Sequence, residues 1–417
     1  MTMSLEAYLA KLNRAVKTRS GHDLALLVSK DNKDLLSAVR NFSSFSAASD
    51  ISTVAHSTVK NKDWAAIASG SCLVAYLYEI ERDPVLAYRE QNTLTQLFNR
   101  VVEKNDNWIL PVLYTITQQL RHIAVEADTI LQNQSNSQNS STEKQERKLE
   151  EAARTINRSL TVCLNDRNSP LESSRKQGIY FVLSVLFKVY FKLGVLSLAK
   201  SALRVLNSSS AAGDVPPLET YPKAHVVTFR YYVGILAFVE EDYEKAEEHL
   251  SAALNLCHRK SIRNQQRILL YLIPTHLLLR RQFPQAGVWT QFPDLARLYQ
   301  PLFAAVRRGD LRAYESHLAA REATLIKRRL YLTLLKTRSA IVRPRFFEMV
   351  YRAKDRNSRM PVATFREGLH AIGIDVDDEQ VECWCAVMIY QGQMKGYISR
   401  EKGIVVLSNT DPFPKRR

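Results

Sequence analysis

The chain has 417 residues, 46% of them apolar, with 58 Lys and Arg against 42 Asp and Glu for a formal net charge of +16. That length predicts two or three structural units with a real buried core, and only 13 Gly and 14 Pro favour helix over a turn-rich β fold. The charge surplus biases the protein towards an acidic partner, either nucleic acid or an acidic polypeptide, with plain solubility as the simpler reading.

Residues 4 to 130 read as successive helices. "DWAAIASGSCLVAYLYEIE" opens at Asp63, an expected N-cap, with apolar residues at 64, 67, 74, 77 and 78. "NDNWILPVLYTITQQLRHIAVEADTIL" is a second long helix with Pro111 near its start, where proline is tolerated. "QNQSNSQNSSTEKQERK", 132–148, has no apolar residue to offset its ordering entropy and is expected to be a mobile loop.

"SSRKQGIYFVLSVLFKVYFKLG" is a helix that stops at Gly194, and "VLSLAKSALRVLNSSS" is its partner before a loop over 208–217. "KAHVVTFRYYVGILAFVEEDYEKAEEHLSAALNLCHR" reads as a helix pair turning at Glu241–Asp242. Gly234, Ala246, Leu250 and Ala253 stand where a tetratricopeptide-type hairpin places small or apolar contact residues. Such hairpins must stack to bury their faces. A helix kinked or ended near Pro274 follows, then two short helices turning at "RRGD", one over 327–343 and another after Pro344.

The tail changes pattern. "MPVATFREGLHAIG" and "DDEQVECWCAVMIYQG" read as helices. The second opens on two aspartates, favourable at the positive end of its dipole, and closes at Gly392. "GYIS" and "IVVLS" then flank the turn "REKG" as a hairpin. Three helices and a hairpin make the order of a winged helix. Its core is expected to hold Val381, Trp384, Cys385 and Met388 from the apolar stripe, with Tyr397, Ile398, Val405 and Val406 from the hairpin. For Trp384 and Tyr390 core packing is favoured over a role as exposed partner anchors; Phe346, Phe347, Met349 and Val350 raise the same choice.

This tail resembles the PCI-domain family, in which a helical-repeat arm runs into a winged helix. Glu382–Cys383, "IYQG" at 389–392, "KGYIS" at 395–399, "VVLS" at 405–408 and "PFP" at 412–414 carry the resemblance, together with "AAVRRGDLRAYESHL" upstream. They are most similar to the branch holding the PCI subunit of the nuclear-pore-linked mRNA-export complex and its relative first named as a twelfth signalosome-associated protein. The resemblance spans roughly 175 to 414, with "WCAVM" departing from the smaller residues expected there. The fold expected is an all-α, TPR-like α-solenoid followed by a winged helix with a small β-hairpin. The expected divisions are 1–170, 171–343 and 344–417, with the PCI domain over about 221–408.

The resemblance implies scaffold work. Such subunits bind a small acidic Sem-type subunit and a larger PCI or Sac-type helical-repeat partner, and present a joint basic surface to RNA or double-stranded DNA. The alternative is a signalosome associate acting through protein contacts without nucleic acid. The expected location is the nucleus, at the nuclear pore, or also the cytoplasm.

Charge blocks agree with an acidic partner. Arg321 to Arg359 holds twelve Lys/Arg against three acids, and His258 to Arg281 holds six with none. Candidate contacts are Lys327, Arg328, Arg329, Arg338, Arg343 and Arg345 before the winged helix, Lys395, Arg400 and Lys402 on the wing, and Lys415, Arg416 and Arg417 at the end. Six contacts to duplex phosphates would give a slope of log K against log salt of about −5. The helix "EQVECWCAVMIYQG" offers almost nothing to base edges, which argues against sequence-specific reading.

Enzyme, metal and membrane readings find little support. No Walker-type loop, GxSxG, HExxH or HxH occurs. Five cysteines, at 72, 163, 257, 383 and 385, suggest neither a disulfide framework nor a zinc module, and His370 stands alone. No cofactor is expected. The N-terminus lacks a secretory pattern, and no run reaches the roughly 18 apolar residues of a membrane span.

Overall fold

A computed structural model describes residues 3–40, 42, 46–138, 147–167 and 171–414. The chain forms two compact units, 1–232 and 233–417.

The first unit is a run of helices: α1 (Leu5–Lys17), α2 (Gly21–Leu27), α3 (Lys33–Val39), α4 (Ala47–Thr58), α5 (Lys62–Ala75), α6 (Pro84–Glu103), α7 (Leu110–Gln138), α8 (Lys148–Leu164), α9 (Ile179–Leu193) and α10 (Leu196–Ala211). From α4 to α10 each packs on the next. Local chemistry sets their ends. Asp83 accepts hydrogen bonds from the Val85 and Leu86 amides at 2.9 Å, and Pro84 stands in the first turn, where its missing N–H costs nothing. Gly194 stops α9 with φ +82. Asn61, not Asp63, caps α5: its side chain accepts from the Asp63 and Trp64 amides at 3.0 and 3.2 Å. The asparagine stands one residue before the first helical turn, where a cap must be, whereas Asp63 is already inside the turn.

Two expected loops are shorter than their polarity suggested. α7 continues through Gln138, so residues 132–138 are helical; 139–146 lie outside the described residues. No Gly or Pro occurs between Val112 and Ser169 to stop the helix, and extending an existing helix needs no new nucleus. Asp128 of α7 then caps α8, accepting from the Lys148 and Leu149 amides at 2.7 and 3.1 Å. Likewise α10 runs to Ala211, into the loop expected from 208.

α11 (Lys223–Val239) leads from the first unit into the second. The second unit holds α12 (Tyr243–Leu256), α13 (Ile262–Arg280), α14 (Ala286–Gln291), α15 (Pro293–Arg308), α16 (Leu311–Ala319), α17 (Glu322–Lys327), α18 (Tyr331–Thr337), α19 (Arg343–Ala353), α20 (Val362–Ala371) and α21 (Asp378–Tyr390). The α11–α12 turn falls at the expected place: Glu241 has φ +63, and Asp242 caps α12 through the Lys245 amide at 3.2 Å. A Cβ on Gly234 would lie 2.7 Å from Leu250 Cγ, so glycine is what lets the two helices meet there. At the "RRGD" turn Gly309 has φ +70 and Asp310 caps α16.

Of the two outcomes expected near Pro274, an ended helix is not the one found. α13 passes through Pro274 without ending. The helices expected on either side of Pro344 join through a π-helical turn, Arg338–Val342, which gives the proline ring room. Pro344 cannot supply the i+4 N–H for Ala340, and Arg281 donates to that carbonyl instead at 2.8 Å.

The C-terminal sheet has three strands, not two. β1 (Arg359–Pro361) pairs with β3 (Ile404–Leu407), which pairs with β2 (Gly396–Ser399), all antiparallel in the order β1-β3-β2. β1 was unreadable because it is three residues long and contains a proline; an edge strand tolerates both.

Candidate partner and nucleic-acid interface

The winged-helix lobe is built on aromatic and aliphatic contacts. Phe347 of α19 stacks on Phe365 of α20 with centroids 4.7 Å apart. Val381, Cys385 and Met388 of α21, Met360 of β1, and Val405 and Leu407 of β3 close the core. Asp377 caps α21 through the Gln380 amide at 2.7 Å, and Gly392 ends it with φ +68. The tail folds back on the wing: the Lys395 amide donates to the Pro412 carbonyl at 2.8 Å, and Phe413 packs against Tyr351 at 5.8 Å.

Several expected core residues lie elsewhere. Tyr397 is 63% exposed, and Ile398 and Val406 are half-buried. Successive strand residues face opposite sides, so Val405 and Val406 cannot both point inward; Leu407 takes the second inward place. Tyr390, expected inside, is 92% exposed at the last turn of α21. Trp384 is half-buried, with the Arg343 guanidinium 3.8 Å above its ring. Phe346 and Phe347 are buried, Val350 is half-buried and Met349 is exposed.

The outward face of α21 is therefore apolar. Cys383, Ala386, Val387 and Tyr390 are exposed along it, and the helix carries no Lys or Arg. Tyr397 of β2 is exposed as well, on the sheet face it shares with Val406, its cross-strand partner. Such a surface has nothing to offer base edges and is suited to protein contact.

The candidate cations sort into five groups. Arg343 is buried, so it is withdrawn as a phosphate contact: its charge is spent on the Trp384 ring, and burial lowers its pKa to about 10. Arg338, Lys395 and Arg400 face Glu315 at 3.3 Å, Asp411 at 3.6 Å and Glu382 at 3.8 Å. Lys327, Arg328, Arg345 and Lys402 are exposed with no carboxylate within 4.0 Å among the described residues. Arg329 is half-buried, and Lys415, Arg416 and Arg417 lie outside the described residues.

Folding joins the two basic blocks. Tyr271 of α13 donates its hydroxyl to the Arg328 carbonyl at 3.3 Å. Arg263 and Arg267 stand two turns and one turn before Tyr271 on α13, and both are exposed. Arg263 and Arg267 thus share the face of α13 that carries Tyr271, and with Lys327 and Arg328 they make a candidate basic strip.

A further feature escaped the sequence. A groove of about 510 Å³ has Leu277, Val306, Ile341, Met349 and Phe413 among its apolar lining and Arg281, Arg308, Arg345 and Arg352 among its polar lining. Its one acid, Glu348, is bonded to Arg352. Its residues come from α13, α15, the π turn, α19 and the tail, so no local pattern could reveal it. Arg345 and Met349, both singled out in the sequence, line it, but nothing in the sequence joined them to Arg281 and Arg308.

Residues 325–409 match the PCI domain model. A protein named "Protein CSN12 homolog" from Yarrowia lipolytica is 35% identical over 411 residues, covering 99% of both chains. The chain belongs to the CSN12 family of PCI-domain proteins. The "COP9 signalosome complex subunit 12" of Eremothecium gossypii is 33% identical over 76% of this chain and 80% of its own. The "PCI domain-containing protein 2" of Danio rerio is 33% identical over 80% of each.

Proposed function

We propose that the chain is a non-catalytic scaffold subunit, associated with the signalosome as its relatives' names suggest, and that it works by holding other proteins on its C-terminal lobe. The observation that carries this reading is the outward face of α21, where Val387 and Tyr390 are 41% and 92% exposed. An exposed tyrosine beside an aliphatic side chain costs little conformational entropy to bury and is a favoured anchor. A larger helical-repeat partner docks there, and a Sem-type acidic subunit lies in the arginine-lined groove.

A second reading has a specific observation in its favour. The strip of Arg263, Arg267, Lys327 and Arg328 is exposed and without carboxylate partners among the described residues. Like charges so close repel until an anion docks. RNA or duplex DNA fits there without regard to sequence, as part of a joint surface with the larger partner in nuclear mRNA export.

Native mass spectrometry of the complex purified through a tag on this chain tests the first reading. Val387→Glu with Tyr390→Glu should release the larger partner from a folded chain; full retention would refute the assignment. Filter binding of duplex DNA to the reconstituted complex across a salt series tests the second. Four phosphate contacts give a slope of about −3.6, and no binding at low salt would remove it.

A further inference from the structure

α9 and α10 form a hairpin in which α10 carries two apolar stripes. Leu196, Ala199, Leu203 and Leu206 repeat at 3-4-3 spacing, with Ala199 and Leu206 buried and α10 packed on α9. Leu198, Ala202 and Val205 repeat at 4-3 spacing, one residue before Ala199, Leu203 and Leu206, and Val195 stands at the N-cap just before the helix. One residue is about 100° around a helix, so the second stripe runs beside the first. It is left open: Val195, Leu198 and Val205 are 37%, 48% and 54% exposed. Single exposed aliphatic residues are ordinary on a protein surface, but several aligned along one helix are not.

The charge around the stripe is one-sided. Lys192 and Arg204 are exposed, and neither has a carboxylate within 4.0 Å among the described residues. A second copy docked on this face would bring two cationic hairpins together.

We propose that the Val195–Leu198–Ala202–Val205 stripe is a docking face for one amphipathic α-helix of a partner protein, with acidic residues flanking that helix's apolar seam. The 3-4-3 spacing is that of a helix-on-helix seam, in which each side chain enters a hole between four others. The exposed Lys192 and Arg204 beside the stripe select the sign of the partner's flanking charges. This site is on the first compact unit and does not depend on the reading given to the C-terminal lobe.

The test uses the full chain and two synthetic helices, each with leucines at 3-4-3 spacing, one flanked by Glu and one by Lys. Fluorescence anisotropy should show the Glu-flanked helix binding more tightly, and adding salt should narrow the difference. Leu198→Ser with Val205→Ser should weaken its binding by about tenfold or more, with an unchanged melting temperature because both residues are exposed. Arg204→Glu should shift preference towards the Lys-flanked helix. Equal binding of both helices, or no effect of the double substitution, would overturn the proposal, as would self-association of the chain abolished by that substitution. In the purified native complex, a photo-crosslinker at Leu198 should join an acidic, helically patterned segment of another subunit. A crosslink to a basic segment, or none outside the chain itself, counts against it.

Discussion

The Tyr299 hydroxyl donates to the main-chain carbonyl of Leu270, the carbonyl that Pro274 leaves without its helical donor. The side chain of α15 thus supplies the hydrogen bond that α13 lacks, and the proline is carried inside a continuous helix. Tyr299→Phe should cost about 1–3 kcal/mol, since it removes the donor and strands the acceptor. Pro274→Ala restores a backbone N–H, so the double variant should recover part of that loss. Urea unfolding of the four proteins closes the cycle; strictly additive losses would show that the two sites are uncoupled.

Gly234 stands against Leu250 with no room for a Cβ. Gly234→Val should destabilise the chain by about 1–3 kcal/mol, because it forces α11 and α12 apart. Adding Leu250→Ala should relieve part of that cost. A Gly234→Val protein with wild-type urea midpoint would contradict the contact.

On α21, Tyr390 and Trp384 should behave in opposite ways. Tyr390→Ala should change stability by less than about 0.5 kcal/mol, as for an exposed residue away from special features. As a central anchor it should weaken partner binding by about 2 kcal/mol or more. Trp384→Ala should lower the melting temperature, because it leaves Arg343 buried without its ring. Calorimetry and a binding titration on both variants separate the roles.

In the first unit, Asp166 accepts from the Arg175 side chain at 2.7 Å, from its amide at 2.7 Å and from the Ser174 hydroxyl at 2.8 Å. Arg175 also donates to the Val102 carbonyl of α6 at 2.7 Å. The pair is almost wholly removed from water, so Arg175→Met, which leaves Asp166 charged and unpaired, should cost about 3–5 kcal/mol. Replacing both, as Asp166→Leu with Arg175→Met, should cost less than the single change. Thermal unfolding orders the three variants.

Burial raises the pKa of Tyr8, Tyr299 and Tyr114, and of Tyr221 in the same way. Each gives up its proton more readily unfolded than folded. The stability this represents is complete below the unfolded tyrosine value of about 10 and is lost as pH rises beyond it. Burial raises the thiols of Cys72, Cys163 and Cys385 in the same direction, so the urea midpoint should begin to fall from about pH 8.5 and fall further above about 10 as the tyrosines join. Retention of the neutral-pH midpoint up to pH 11 would show that these hydroxyls are not withheld from water.

Taken by itself, the amino-acid order determined what depends on neighbours along the chain. Gly194 and Gly309 stop helices, Asp242 and Asp377 cap them, and the stripe at 381, 385 and 388 buries one face of α21. These signals come from backbone conformation and periodicity, which neighbouring residues impose on each other. Tertiary packing decided which cations stay free and which rings face water. Arg343 and Arg345 stand two residues apart in one basic run, yet one lies buried on Trp384 and the other is exposed beside a groove. The basic strip needs Tyr271 to reach the Arg328 carbonyl, across 57 residues of chain. Charge and hydrophobicity are properties of single residues, but exposure and pairing belong to the surface that folding brings together.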